Sequence, residues 1–293
     1  MGNKIKVNLY AFITVLIWGS GFPFTRLIGE QLSSGSLGFI RCFFSAVVLI
    51  VIGMICKIRK PFRRRDLLWF FISGAFGFSL YLTLFSLGLE TVNSATGSII
   101  TAITPIIVAV AAVKLYGERI GIAGWISIFG AFAGVVILLL WNGIVSISIG
   151  AVWMLLTAIV FAGYNLISRK LSLKGYTDIE ITTYSAVFGT LQTVMFMPRA
   201  VSEMMAADTA SNLSAIYLGA AAGGAAYYLW GKAIAMSDRT SEVTNYLFVN
   251  PLIAAIIGFL MLHEMPDMGT YAGGIIIIAS VVVFSIKGST GSK

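Results

Sequence analysis

Charged residues and histidine are scarce in this sequence. Asp, Glu, Lys and Arg together make up 11% of the 293 residues, and there is one histidine. Ordinary soluble domains carry about twice that charged fraction. With 58% hydrophobic residues and a mean hydropathy of +0.93, the chain is expected to be a polytopic membrane protein.

Motifs for catalysis and metal binding are also lacking. The sequence contains no HExxH or GxSxG motif and no group of His, Cys and carboxylates at metal-ligating spacing. The segment Gly19-Ser20-Gly21 offers a serine, but no His or Lys is placed to activate it. Cys42 and Cys56 lie about four helical turns apart, which is too far for a disulfide. We therefore expect neither an enzyme nor a bound cofactor or metal.

Long apolar runs fill most of the chain, and each is close to the roughly 20 residues that span a bilayer as a helix. Five lie in the first half and five in the second: Val7 to Gly29, Ser34 to Cys56, Leu67 to Gly88, Asn93 to Leu115, Gly121 to Trp141, Ile149 to Ser168, Asp178 to Pro198, Asn212 to Ala235, Ser241 to Leu262 and Gly269 to Ile286. The segment from Ser202 to Asn212 is the connection most typical of a loop.

The two halves share a weak repeat at an interval of 146 residues. The pairs at this interval include Pro105 with Pro251, Glu118 with Glu264, and Tyr81 with Tyr227. Five spans per half force the second half to enter the membrane in the opposite direction. The sequence therefore predicts an all-α membrane protein with ten transmembrane helices in two inverted five-helix repeats, residues 1–145 and 146–293.

The basic residues are distributed unevenly between the two sides of this predicted topology. All Lys and Arg residues except Arg26, Arg41 and Arg199 fall on the side of the two termini. The positive-inside rule then places both termini in the cytoplasm and the chain in the cell inner (plasma) membrane. Because the net charge of +8 lies in short connections, it indicates contact with the lipid bilayer and no nucleic-acid partner.

Several segments resemble the drug/metabolite transporter superfamily, and specifically its ten-helix EamA-type branch of amino-acid and metabolite exporters. They are Tyr10 to Trp18 with Gly19 and Pro23, Gly38-Phe39-Ile40-Arg41, Tyr81 to Gly88 with Ala95, Pro105 to Glu118, Tyr228-Leu229-Trp230 with Ala233, and Asn250-Pro251 through Glu264. The resemblance covers essentially the whole chain. It implies a transporter and leaves the substrate open.

By analogy with the family, a solute would bind among helices one, three, four, six, eight and nine. The polar and aromatic candidates there are Trp18, Tyr81, Phe85, Thr101, Tyr164, Asn165, Tyr227, Trp230 and Asn245. For each residue alone, ordinary packing explains its presence at least as well. This lining lacks an obvious carboxylate, which favours neutral or zwitterionic solutes. Arg41 and Lys232 could pair with a solute carboxylate, although we expect both to snorkel to the interface.

Prolines and glutamates mark candidate hinges and helix caps. Pro23, Pro105 and Pro251 each remove a backbone hydrogen bond, so they predict either hinges or static kinks. Glu118 and Glu264 follow their helices at opposite membrane faces. We expect them to act as structural caps that accept hydrogen bonds from backbone amides of the helix that follows.

Glycines at four-residue spacing predict close helix packing. The pairs are Gly130 with Gly134, Gly219 with Gly223, and Gly269 with Gly273. In the fifth and tenth helices these faces could instead form a homodimer contact. The sequence therefore allows a monomer or a homodimer.

The combined sequence features favour an inner-membrane transporter that works by alternating access, as an exporter or facilitator of amino acids or similar zwitterions. Two alternatives stay open. One is a broad-specificity drug or metabolite efflux transporter, and the other is a membrane receptor or scaffold that moves no solute.

Overall fold

A computed structural model describes residues 2–56, 58, 61, 63–116, 120–141, 149–236, 245–284 and 286, and these ranges are helical without β-strands. The α-helices are α1 (Gly2–Ile28), α2 (Ser34–Ile55), α3 (Leu67–Gly74), α4 (Leu80–Leu89), α5 (Ser94–Thr101), α6 (Thr104–Tyr116), α7 (Ile122–Leu140), α8 (Ile149–Leu173), α9 (Asp178–Thr193), α10 (Met197–Ala206), α11 (Thr209–Tyr217), α12 (Ala226–Met236), α13 (Asn250–Leu262) and α14 (Met268–Val283). The predicted all-α class is confirmed.

Several helical runs have the length and apolar character of membrane spans. Five in the described ranges are long and apolar enough to cross a bilayer: Ile5–Ile28, Ser34–Ile55, Arg64–Leu89, Ser94–Leu115 and Ile149–Leu173. Shorter apolar helices cover Ile122–Gly134, Asn250–Leu262 and Met268–Ser280. Large apolar side chains such as Phe129 and Phe132 of α7 are exposed on the outer surface. These surfaces suit contact with lipid tails.

Two helical runs contain π-helical stretches at related positions. Ala75–Ser79 joins α3 to α4 without a break, and Leu218–Ala225 joins α11 to α12 in the same way. The first stretch corresponds, at the interval of 146 residues, to the last five residues of the second. A π-helical stretch disturbs the regular hydrogen-bond ladder of an α-helix and is often found at functional sites.

Helices α6 and α13, which are related by the interval of 146 residues, each begin just before a proline. Pro105 is the second residue of α6 and Pro251 the second of α13, where the missing N–H leaves no helical bond unmade. A turn after Thr101 precedes α6, and the 3₁₀-helix Asn245–Val249 precedes α13. These two prolines therefore lie at helix starts instead of mid-helix as predicted, whereas Pro23 lies inside α1.

Connections that alternate along the chain meet at the same end of the helix bundle. We call one end of the bundle the Arg26 end. There Arg26 pairs with Glu264, which follows α13, and the Ser33 amide donates to the Glu203 carboxylate at 2.8 Å. At the opposite end, here the Cys56 end, the Cys56 thiol contacts the Tyr228 hydroxyl at 3.3 Å. These contacts place the end of α1 near the end of α13, and the end of α2 near the start of α12.

The connection predicted from Ser202 to Asn212 is mostly helical. Helix α10 continues to Ala206, and only two residues separate it from α11. The Asp208 carboxylate caps α11 by accepting from the Ser211 amide at 2.7 Å. The Asn212 side chain donates to the Met204 carbonyl at 2.8 Å. The loop prediction was wrong because these polar side chains satisfy the ends of two successive helices.

Glycines of α7 pack directly against α14. A Cβ added to Gly134 would lie 2.8 Å from the Gly273 carbonyl oxygen and 3.0 Å from the Ile277 nitrogen. A Cβ on Gly130 would meet the Ser280 hydroxyl at 2.5 Å. This glycine face therefore joins helices of the same chain, so it is not free for the homodimer contact suggested from sequence.

Replacing Gly134 by Ala tests this close contact. The new methyl group would press on backbone atoms of α14, and overpacking of this kind costs about 1–3 kcal/mol. We expect a lower midpoint temperature of unfolding for purified Gly134→Ala protein in detergent. The matched control is Gly21→Ala, whose Cβ would have its nearest neighbour, a Leu218 methyl group, at 3.8 Å. Equal midpoints for the two variants would contradict the packing described here.

Candidate functional site

Aromatic rings from four helical runs meet in the middle of the bundle. This aromatic cluster comprises Trp18, Phe22, Phe78, Tyr81, Phe85, Phe161, Tyr164, Tyr227 and Trp230. Tyr227 lies near its centre, with ring centroids 5.3 Å from both Trp18 and Phe78 and 6.1 Å from Tyr164. Six of the nine residues predicted from sequence therefore come together.

The cluster is anchored to the two π-helical stretches. The Trp18 indole N–H donates to the Ala222 carbonyl at 3.0 Å, and the Tyr227 hydroxyl donates to the Gly77 carbonyl at 3.3 Å. Both carbonyls belong to the stretches Ala75–Ser79 and Leu218–Ala225. These side-chain hydrogen bonds fix the rings of Trp18 and Tyr227 against the backbone of neighbouring helical runs.

Glycine at position 77 leaves room for the ring of Tyr164. A Cβ there would collide with the aromatic carbons of that ring. Tyr164 in turn stacks on Phe161 at 5.7 Å between ring centroids. The close approach of α8 to the first π-helical stretch thus depends on a missing side chain.

Three aromatic members of the cluster were not predicted from sequence: Phe22, Phe78 and Phe161. Each follows helical spacing from a residue that was predicted. Phe78 lies three positions before Tyr81, and Phe161 lies three positions before Tyr164. Residues three or four apart share a helix face, so this spacing was a usable signal.

The other three predicted binding residues, and the predicted cap Glu118, are not placed in the cluster by these ring contacts. The Thr101 hydroxyl donates to the Ser98 carbonyl of its own helix at 3.0 Å. The Asn165 amide likewise donates to the Phe161 carbonyl at 2.7 Å. Asn245 begins a 3₁₀-helix, but its side chain lies outside the described residues, as does all of Glu118.

Two cavities approach the cluster from opposite ends of the bundle. The Arg26-end cavity measures about 300 Å³ and is lined by Thr25, Arg26, Gly29, Glu30, Leu32, Ser34, Leu37, Ser86, Leu89 and Glu90. The Cys56-end cavity measures about 250 Å³ and is lined by Cys56, Thr177, Asp178, Ile179, Thr182, Tyr227, Tyr228, Gly231 and Lys232. Tyr227 belongs to both the second cavity and the cluster, so its side chain joins that cavity to the aromatic rings.

Arg41 does not reach the bundle surface. Only 5% of this residue is exposed, so the snorkelling predicted from sequence is wrong for Arg41. Its guanidinium donates to the Thr25 hydroxyl at 3.2 Å and lies 5.3 Å from the centre of the Phe85 ring. Lys232, by contrast, is exposed, with its ammonium 4.9 Å from the Tyr228 ring. The helix packing around α2 keeps Arg41 inside.

Arg26 and Glu264 join several helices at the Arg26 end. The Arg26 Nε lies 2.5 Å from Glu264 Oε1, and the Arg26 guanidinium also donates to the Val92 carbonyl. The other Glu264 oxygen accepts from the Ser94 amide at the start of α5 at 2.8 Å. Glu264 thus bonds the start of α5, and not the helix that follows it in the chain. The pair holds α1, α4, α5 and the end of α13 together.

Replacing Glu264 by Gln tests whether this ion pair closes the Arg26 end. The amide keeps the size and an acceptor for Ser94 but loses the charge that holds Arg26. In Cys56→Ser protein carrying Thr96→Cys, we expect Glu264→Gln to speed maleimide labelling at position 96 several-fold. The control is Arg199→Gln, which removes an exposed ion pair with Glu203 at the same end. Unchanged labelling in Glu264→Gln would count against a closing role.

Comparison with known proteins agrees with this architecture. The sequence profile of the EamA-like transporter family matches residues 5–140 and 148–286. A probable terminal-alkyne amino-acid exporter of Streptantibioticus cattleyicolor is 29% identical over 286 residues, covering 96% of this chain and 94% of that protein. An S-adenosylmethionine uptake transporter of Rickettsia bellii is 26% identical over 278 residues, covering 92% of this chain and 90% of that protein.

The fold also has a counterpart among solved structures. One protein crystal structure superposes with a TM-score of 0.60 at 18% identity, covering 94% of this chain and 96% of that one. This similarity shows a shared fold. The helical bundle and the relatives together define a multi-pass membrane transporter. The chain belongs to the EamA-like transporter family, because the two segments that match the family cover the chain almost from end to end.

Proposed function

We propose that this chain carries amino acids or similar small zwitterions across the cell inner membrane by alternating access, as an exporter or facilitator. The observation that supports this most is the position of the aromatic cluster between two cavities at opposite ends of the bundle. A solute held among the rings would need only a change in helix packing to move from one cavity to the other.

The proposed architecture has ten membrane-spanning helices in two inverted repeats, residues 1–145 and 146–293. It is supported by features that recur at the interval of 146 residues. Helices α6 and α13 begin and end at this interval, and the π-helical stretches overlap at it. The uneven distribution of Lys and Arg supports cytoplasmic termini. The proposal is compatible with either a monomer or a homodimer.

Ring faces and tyrosine hydroxyls dominate the cluster, which contains no Asp or Glu among the described residues. Such a surface suits a solute with apolar parts and without a strong net positive charge. The naming of one relative as an amino-acid exporter supports the same class of solute. An S-adenosylmethionine transporter among the relatives shows that similar chains are associated with larger amino-acid derivatives.

Counterflow of radiolabelled amino acids into proteoliposomes tests the proposal directly. We expect saturable uptake of at least one aliphatic or aromatic amino acid when the vesicles contain the same unlabelled compound. No uptake across a broad panel would refute the proposed substrate class. Transport of chemically unrelated toxic compounds would instead favour the broad-specificity efflux alternative, and saturable binding without any flux would favour a receptor.

Replacing Trp18 by Ala should impair transport specifically. The indole contacts Tyr227 and Trp230, and its loss removes both ring surface and a donor to α12's neighbouring π-helical stretch. We expect counterflow per folded molecule to fall about tenfold or more, by analogy with the loss of a buried aromatic anchor at other binding sites. Trp125→Ala is the control, since Trp125 is 44% exposed on α7. Equal transport by both variants would argue against a site at the cluster.

Replacing Pro251 by Ala tests the hinge hypothesis. The new N–H would allow α13 to continue into the 3₁₀-helix Asn245–Val249, which would stiffen the break before it. We expect slower counterflow with a nearly unchanged yield of folded protein. Pro198→Ala is a matched control, because Pro198 is also the second residue of its helix but is exposed. Wild-type transport rates in Pro251→Ala would remove the hinge role.

A further inference from the structure

Arg41 is a buried charge without an acidic partner. No Asp or Glu forms an ion pair with it among the described residues, and its Nε has no hydrogen-bond partner there. A charged side chain inside a membrane protein is costly unless it is paired, and it commonly marks a pathway or a binding site. The partners that Arg41 does have leave part of its guanidinium unsatisfied.

The surroundings of Arg41 connect a cavity with the aromatic cluster. Its guanidinium donates to Thr25, which lines the Arg26-end cavity. On another side it lies over Phe85, which packs 5.9 Å from Tyr81 and 4.9 Å from Phe22. A solute that leaves this cavity for the cluster would pass the guanidinium.

The fold itself does not require a charge at this position. At the interval of 146 residues, Arg41 corresponds to Val187, an apolar residue that packs against the hydrophobic core. The close contact of α2 with the second π-helical stretch uses the backbone of Arg41, because a Cβ on Gly219 would meet its carbonyl oxygen and Cα. The side chain therefore breaks the symmetry of the repeat without serving this contact.

The nearby acidic residues lie further towards solvent. Glu30 and Glu90 are exposed at the mouth of the Arg26-end cavity. Glu90 accepts a hydrogen bond from the Ser34 hydroxyl. Neither forms an ion pair with Arg41 in the structure. The cavity thus has two exposed carboxylates in its lining, and the buried Arg41 guanidinium lies behind one lining residue, Thr25.

We infer that Arg41 binds the carboxylate group of the transported solute. This inference rests on the proposed transport function and specifies its substrate class as carboxylate-bearing zwitterions. A planar guanidinium whose Nε has no partner can donate hydrogen bonds along its edge to the oxygens of a carboxylate. The ring faces of the cluster would then hold the ammonium group and the apolar side chain.

Matched ligands test this without altering the protein. We would measure the thermal stability of purified wild-type protein with L-phenylalanine, L-leucine and L-methionine, each compared with its decarboxylated amine: phenethylamine, 3-methylbutylamine and 3-(methylthio)propylamine. A ligand that binds the folded state raises apparent stability with its occupancy. We expect at least one amino acid to reach a given stabilisation at a concentration about tenfold or more below the concentration that its amine needs. The reason is that the amine lacks the carboxylate and so loses a charge-assisted hydrogen bond.

Two variants locate the effect. Arg41→Gln keeps a polar side chain without the charge, and Arg41→Lys keeps the charge without the planar fork. We expect both to lose about tenfold or more of the amino-acid affinity while the response to the amines stays unchanged. Arg199→Gln, which alters an exposed arginine, should behave as wild type. If the Arg41 variants do not fold, equal affinity of the wild-type protein for acids and amines would still overturn the inference.

The outcomes separate this inference from the proposed function. Amines that bind and are transported as well as the amino acids would overturn the role of Arg41 while leaving transport intact. The role of Arg41 would also be overturned if folded Arg41→Gln protein still bound the amino acids more tightly than their amines. Absence of both binding and counterflow for every acid and amine would overturn the proposed substrate class, and the carboxylate site with it.

Discussion

A lipid bilayer offers no water to the polar groups of a buried backbone, so hydrogen bonds at the centre of the protein must come from the protein itself. Several of them reach the π-helical stretches Ala75–Ser79 and Leu218–Ala225. Trp18 donates to the Ala222 carbonyl and Tyr227 to the Gly77 carbonyl, and the Ser45 hydroxyl donates to the Gly219 carbonyl at 3.0 Å. Two of the rings proposed to hold the solute, Trp18 and Tyr227, therefore also join helices to one another.

Two arginines show how differently the same side chain behaves in this environment. Arg26 has an acidic partner, a backbone carbonyl acceptor and partial access to solvent, so its charge is satisfied within the fold. Arg41 has a hydroxyl and a ring face, and its Nε stays unpaired. A charge satisfied within the fold has a structural role, whereas one left incompletely satisfied beside a cavity is available to a ligand.

Some positions of the aromatic cluster follow the interval of 146 residues, and others do not. Trp18 and Tyr164 share the interval of 146 residues, as do Tyr81 and Tyr227, so both halves contribute rings. Phe85 and Arg41 have no such counterparts, since Gly231 and Val187 occupy the corresponding positions. A duplicated scaffold can supply symmetric bends and packing, but a solute with unlike ends needs an asymmetric surface. The differences between the halves are the natural place for recognition.

Hydropathy was enough to predict an all-helical membrane protein and the approximate extent of its apolar runs, and the family resemblance together with helical spacing indicated six members of the aromatic cluster. These properties depend on residues near one another in the chain. Tertiary structure alone decided that Arg41 is buried, that Glu264 bonds the start of α5, and that Gly134 packs against α14. It also extended helix into the expected loop around Asp208. The physical reason is that periodicity identifies which face of a helix is apolar or polar, whereas the partner of that face depends on how distant helices pack.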